Sequence, residues 1–136
     1  MTVGVVTAGV VTLEQRLEFS EARSLEHIFP SNTNPLGNAF GGYIVSLMDK
    51  IAAFSAYRFS GGIVVTVSID KLSFNLPILM GDYVEIVARV ESVGRTSMRV
   101  RVEVFRVTFE AQTLATSGHF VFVALDEHGK PRAVVV

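Results

Sequence analysis

The segment from Gly42 to Tyr57 constrains this chain more than any other. Ile44, Leu47, Met48, Ile51 and Ala52 recur at the i, i+3, i+4, i+7, i+8 spacing of a core-facing helix. Val45, Ala53, Phe54 and Ala56 carry apolar character around most of the remaining circumference, so Tyr43, Ser46, Lys50 and Tyr57 form only a narrow polar edge. Such a helix needs cover on nearly every side. Gly61 and Gly62 mark its end.

After the glycines the period becomes two. Val65, Val67 and Ile69 alternate with Thr66, Ser68 and Asp70, which describes a strand with one buried face. The apolar phase then moves to Leu72, Phe74 and Leu76, which predicts a bulge or bend near Asp70 and Lys71. Pro77 and Met80-Gly81-Asp82 supply a turn before the alternating strand of Val84, Ile86, Ala88 and Val90. Gly94 turns the chain into a strand whose Met98, Val100, Val102 and Val104 oppose Arg99, Arg101 and Glu103. Ala115 to Leu125 reads as a last, more completely buried strand, and Asp126 to Arg132 as a turn. With a first strand around His27, the layout is α+β: a curved antiparallel sheet wrapped around one long central helix. One sheet cannot cover that helix on all sides, so a homodimer is expected.

At 136 residues the chain holds one domain. Its expected span is 23–136, with residues 1–22 an N-terminal extension whose Val-rich opening, Met1 to Thr12, fits an added strand and a loose tail equally well. A hydrophobic share of 49% against 18% charged again suggests surface that meets another subunit. The net charge of −1 speaks against nucleic acid as a partner. There is no cysteine, and His27, His119 and His128 lack ligand spacing, so no metal or other cofactor is expected. The opening is too short to span a bilayer and lacks a basic n-region, which makes a cytoplasmic protein without membrane insertion the expectation.

Gly41 and Gly42 stand at the helix start, where free N–H groups and the positive dipole end meet whatever lies there. A carbonyl oxygen that gains negative charge is stabilised by such donors, although paired glycines also serve tight turns and close packing. Asp49 falls on the side of Val45, Ala52, Ala53 and Ala56, away from Ser46 and Lys50. A sequestered carboxylate there needs a partner or a task, and taking a proton from water is one such task. Gly42 and Asp49 lie roughly 10 Å apart along the helix, too far to serve one carbonyl from one chain. A symmetric dimer resolves this by facing the Gly42 end of one helix with Asp49 of the other. Gly94, Arg95, Thr96 and Ser97 combine a turn, a cation and two hydroxyls suited to phosphate contacts, and Lys130 and Arg132 add cations near the end of the chain.

The run from Pro30 to Asp49, PSNTNPLGNAFGGYIVSLMD, resembles the acyl-CoA hydrolase branch of the hot-dog thioesterases, which includes the YciA-type enzymes. Matching features are Asn34, Gly37, Phe40-Gly41-Gly42, Met48-Asp49, Phe74, Pro77, Gly81-Asp82, the run from Gly94 to Met98 and that from Gly129 to Arg132. Asn38 stands where some relatives carry Asp, a departure that leaves the implied mechanism intact. The resemblance implies a hot-dog fold and hydrolysis of acyl-CoA, which supplies coenzyme A within the substrate. It also implies a site shared across a dimer, with Asn34 opposite the aspartate, and a hexamer built as a trimer of dimers. Asp49 is then the central catalytic residue, with Gly42 and Asn34 steadying the intermediate. It acts either as general base to water or as a nucleophile that forms an anhydride. Gly41, the Gly94–Ser97 turn, Lys130 and Arg132 are the expected coenzyme A contacts. Two rival functions are a hot-dog 3-hydroxyacyl thioester dehydratase or hydratase and a non-catalytic acyl-CoA binding module. The first typically couples a histidine to an acid, and none lies between Asn34 and Asp49. The second usually carries an output domain, for which this chain has no room.

Overall fold

In the computed structural model, which describes residues 11–134, Thr12 opens a short first helix, α1 (Leu13–Phe19). Its hydroxyl accepts from the Gln15 amide at 3.1 Å while the Gln15 side chain accepts from the Thr12 amide at 2.9 Å, a reciprocal cap. Seven residues cannot hold a helix by themselves, and tertiary contacts supply the rest. Arg16 donates to the Phe59 carbonyl at 2.7 Å and lies 4.4 Å from the Phe59 ring centroid. Arg58 covers the Phe19 ring at 4.2 Å, and the buried Ser20 hydroxyl accepts from the Val90 amide at 3.0 Å. Part of the expected extension is thus a docked helix. The strand-or-tail alternatives for Met1 to Thr12 fall almost wholly outside the described residues.

Beyond α1 come β1 (Ala22–His27), a single 3-10 turn (Pro30–Asn32), the long helix α2 (Gly41–Ser60), β2 (Val64–Phe74), β3 (Tyr83–Val93), β4 (Ser97–Val107) and β5 (Gln112–Ala124). The five strands form one antiparallel sheet in the order β1-β3-β4-β5-β2. Its inner face offers Val84, Ile86, Val90, Val100, Val104 and Phe120, all at 0% exposure, to Ile44, Leu47, Met48, Ala52, Ala56 and Phe59 of α2. Ala52 and Ala56 are small enough to let the sheet close on the helix, and enlarging either would overpack the core by about 1–3 kcal/mol. Gly61 ends α2 in the left-handed region at φ 79°, its N–H donating to the Tyr57 carbonyl at 2.7 Å. No helix among the described residues is long and apolar enough to cross a membrane.

Three features depart from or sharpen the sequence reading. β5 is not buried on both faces: Thr116, Gly118, Phe120, Phe122 and Ala124 point inward, while Ser117, His119, Val121 and Val123 are half-buried on an outer face that no second layer covers among the described residues. Among the described residues α2 is covered on one side only, leaving Phe54 and Tyr57 about half exposed. β2 is a sheet edge whose Val65, Val67, Ile69, Leu72 and Phe74 all remain exposed. Its ladder with β5 slips between Thr66 and Ser68 and again between Asp70 and Ser73, the second slip at the phase change expected near Lys71. Lys71 adopts φ 53°, a left-handed conformation that a non-glycine residue accepts only at some cost.

Candidate active site

The start of α2 is held open by its surroundings. Phe40 caps the helix without a side-chain hydrogen bond, its own amide donating to the Asn32 carbonyl at 3.0 Å. The N–H groups of Gly41 and Gly42 thus belong to the unpaired first turn, at the positive end of a 20-residue helix. A Cβ on Gly41 would lie 3.4 Å from the Phe74 ring, so close packing accounts for part of that glycine. Gly42 differs. A Cβ there would meet nothing within 4 Å, and its φ is not positive, so neither packing nor backbone conformation in this chain calls for glycine.

Asn34 lies beside the helix start in a tight loop that turns through Gly37 at φ 83°. Its Oδ1 accepts from the amides of Leu36 at 2.9 Å and Asn38 at 3.1 Å. With the carbonyl oxygen so engaged, the side-chain NH2 is the group left to a ligand. Between this loop and the sheet lies a cavity of about 350 Å³, lined among others by Asn34, Asn38, Gly41, Ile44, Phe74 and Thr116.

Asp49, two turns into α2, is half-buried on the side of β2, next to Val45 and Ala53. Its Oδ1 accepts from the Thr66 hydroxyl at 2.7 Å. Thr66 was not anticipated. In the sequence it is one of three polar residues alternating with valine and isoleucine, and only the approach of β2 to α2 singles it out.

Apart from Gly41, which opens the helix, the anticipated coenzyme A contacts gather at its other end. Gly94 to Ser97 form the β3–β4 hairpin, closed by the Gly94 amide on the Ser97 carbonyl at 2.9 Å. A Cβ at Gly94 would sit 2.8 Å from the Ser97 Oγ. The carbonyls of Thr96 and Arg95 accept from the amides of Ala124 at 3.0 Å and Val134 at 2.7 Å, which ties the hairpin to the end of the chain. Arg95 and Lys130 are exposed, and neither has an ion pair among the described residues. Arg132, another of the expected coenzyme A contacts, sits among backbone carbonyls. Its guanidinium donates to the carbonyls of Ser60 at 3.0 Å, Leu125 at 3.1 Å and Ala133 at 3.5 Å, and so clamps the C-terminal end of α2. With 20 residues in α2, roughly 30 Å separate this clamp from Gly42.

The histidines lie elsewhere. His27 stacks on Tyr83 at 4.3 Å, His119 Nε2 is 3.1 Å from a Glu91 oxygen, and His128 is exposed in a turn. Among the described residues no group of three or more His, Asp or Glu could hold a metal ion.

Comparison with known proteins places this arrangement. Residues 36–111 match the thioesterase superfamily. An acyl-CoA thioester hydrolase of Zymomonas mobilis is 43% identical over 75% of this chain and 70% of its own length. The acyl-CoA hydrolase of Staphylococcus aureus, solved with butyryl coenzyme A and coenzyme A, superposes with a TM-score of 0.85 at 36% identity, over 87% of this chain and 73% of that one. It has also been solved with an asparagine, an aspartate and a threonine each changed to alanine, at the same intervals of 15 and 17 residues that separate Asn34, Asp49 and Thr66 here. A hexameric thioesterase of Yersinia pestis superposes with a TM-score of 0.78 at 34% identity, over 83% of this chain and 93% of that one. The chain belongs to the thioesterase superfamily, in the hot-dog acyl-CoA hydrolase branch to which its motifs point.

Proposed function

We propose that this protein hydrolyses acyl-CoA to a free acid and coenzyme A, in sites built between two copies of the chain. The observation that carries the reading is the distribution of chemistry along α2. Asp49 is held by Thr66 against an uncovered sheet edge, while the unpaired N–H of Gly42 lies roughly 10 Å away on the same helix. Two copies related by a two-fold axis bring the Gly42 end of one to Asp49 of the other and cover the apolar edge of β2. The replaced residues of the Staphylococcus enzyme support the same choice of Asn34, Asp49 and Thr66.

In this reading Asp49 takes a proton from water as the oxygen attacks the thioester carbonyl. The resulting oxyanion is met by the Gly42 N–H and the Asn34 NH2. The C–S bond then breaks, and the proton on Asp49 passes to the departing thiolate. Thr66 holds the carboxylate in place. Attack by Asp49 itself, through an anhydride, is the chemical alternative. Arg95 and the hairpin around it, with Lys130, grip the nucleotide end, while Arg132 holds the helix. The proposal includes assembly of dimers into a hexamer, as in the Yersinia thioesterase, and a cytoplasmic setting. Steady-state release of thiol from an acyl-CoA tests it. Asp49→Asn is expected to lose turnover by roughly 10²- to 10⁴-fold, the usual worth of a positioned base. An Asp49→Asn protein with wild-type rates sinks both chemical versions.

A further inference from the structure

The cavity beside the helix start contains a buried polar group that the mechanism does not use. Thr116 is 1% exposed and lies on the inner face of β5, across from Val104 of β4 and Phe74 of β2. Its Oγ1 has no hydrogen-bond partner among the described residues. An unpaired buried hydroxyl is destabilising, so its retention calls for a partner that this chain does not supply. Two more polar groups line the same cavity without a bond among the described residues, namely the Asn38 side-chain amide and the Asn34 NH2, of which the mechanism gives the second to the oxyanion. The rest of the lining is apolar, including Ile44, Phe74 and Ile78, and no cation contributes to it.

This lining describes its occupant. An aliphatic body fits the apolar wall, one or two neutral oxygen atoms fit the donors, and a carboxylate would enter with no positive charge to meet it. Gly41 is part of the lining, which sets the cavity next to the helix start where the hydrolase reading places the substrate carbonyl. We infer that the cavity is an acyl subsite and that Thr116 sets specificity, favouring acyl groups that carry a neutral hydroxyl or oxo substituent over unsubstituted chains of equal length. The inference rests on the hydrolase reading above and names the substrate class for it.

The test compares kcat/KM for a straight-chain acyl-CoA, its 3-hydroxy counterpart and its 3-oxo counterpart, in the wild-type protein and in Thr116→Val and Thr116→Ser. The wild-type protein is expected to favour the substituted substrates by roughly tenfold, about the worth of one well-made hydrogen bond. Thr116→Val should bring that ratio near one by weakening only the substituted substrates, and Thr116→Ser should retain it. A wild-type ratio near one overturns the inference and leaves the hydrolase reading standing. So does a uniform loss over all substrates in Thr116→Val, which would assign the residue to packing or to the pantetheine arm. A ratio lost in Thr116→Ser as well points to the methyl group and overturns it too. No thiol release from any acyl-CoA by the wild-type protein would bring down the hydrolase reading, and the inference with it.

Discussion

In the proposed mechanism Gly42 serves a substrate and not its own chain. Nothing lies within 4 Å of where its Cβ would be, so Gly42→Ala is expected to leave thermal stability unchanged or raise it by up to about 1 kcal/mol, since alanine is the better helix former. Thiol release should nevertheless fall by roughly 10²-fold, because a methyl group there stands in front of the donor that meets the oxyanion. A melting curve and a rate measured on the same preparation check both halves. The placement of Gly42 and Asp49 was legible in the sequence because both sit on one helix, where spacing alone gives direction. Thr66 was not, because its meaning lies in a 2.7 Å contact with a different element. The contacts of Arg132 were hidden for a related reason, since the Ser60 and Leu125 carbonyls that its guanidinium meets come from distant sequence.

At the level of elements, the periodic segments were readable and the short ones were not. The helix, β3 and β4 follow their alternation closely, β2 buries neither of its faces, and the phase change from Ile69 to Leu72 anticipated the slip at Lys71. α1 carries too few apolar positions to show a period, and it is held by arginines laid over Phe59 and Phe19. The far end of α2 depends in the same way on contacts from distant sequence. Arg132→Ala removes charged hydrogen bonds to the Ser60 and Leu125 carbonyls and is expected to cost about 2 kcal/mol, seen as a lower melting temperature. Its KM for acyl-CoA should stay within about twofold of wild type if its work is done at the helix end, whereas a true nucleotide contact would raise KM by roughly tenfold or more.

For the whole molecule, a helix apolar around most of its girth already implied a second subunit, and the open sides of α2 and β2 give that expectation a place. The proposed shared site makes a prediction that one chain cannot satisfy. Asp49→Asn and Gly42→Val proteins, each inactive alone, should recover about a quarter of wild-type thiol release when unfolded and refolded together, since half the dimers are mixed and one of their two sites is whole. No recovery, with mixed dimers confirmed by mass, would place both groups in a single chain. The uncovered edge also bears on what happens before two copies meet. A long apolar strand with free backbone groups is a template for indiscriminate stacking and fibre growth. The two slips in β2 leave no regular run longer than three residues, Val64 to Thr66 and Ser68 to Asp70, so a stray strand finds little ladder to grip before the chain meets its twin.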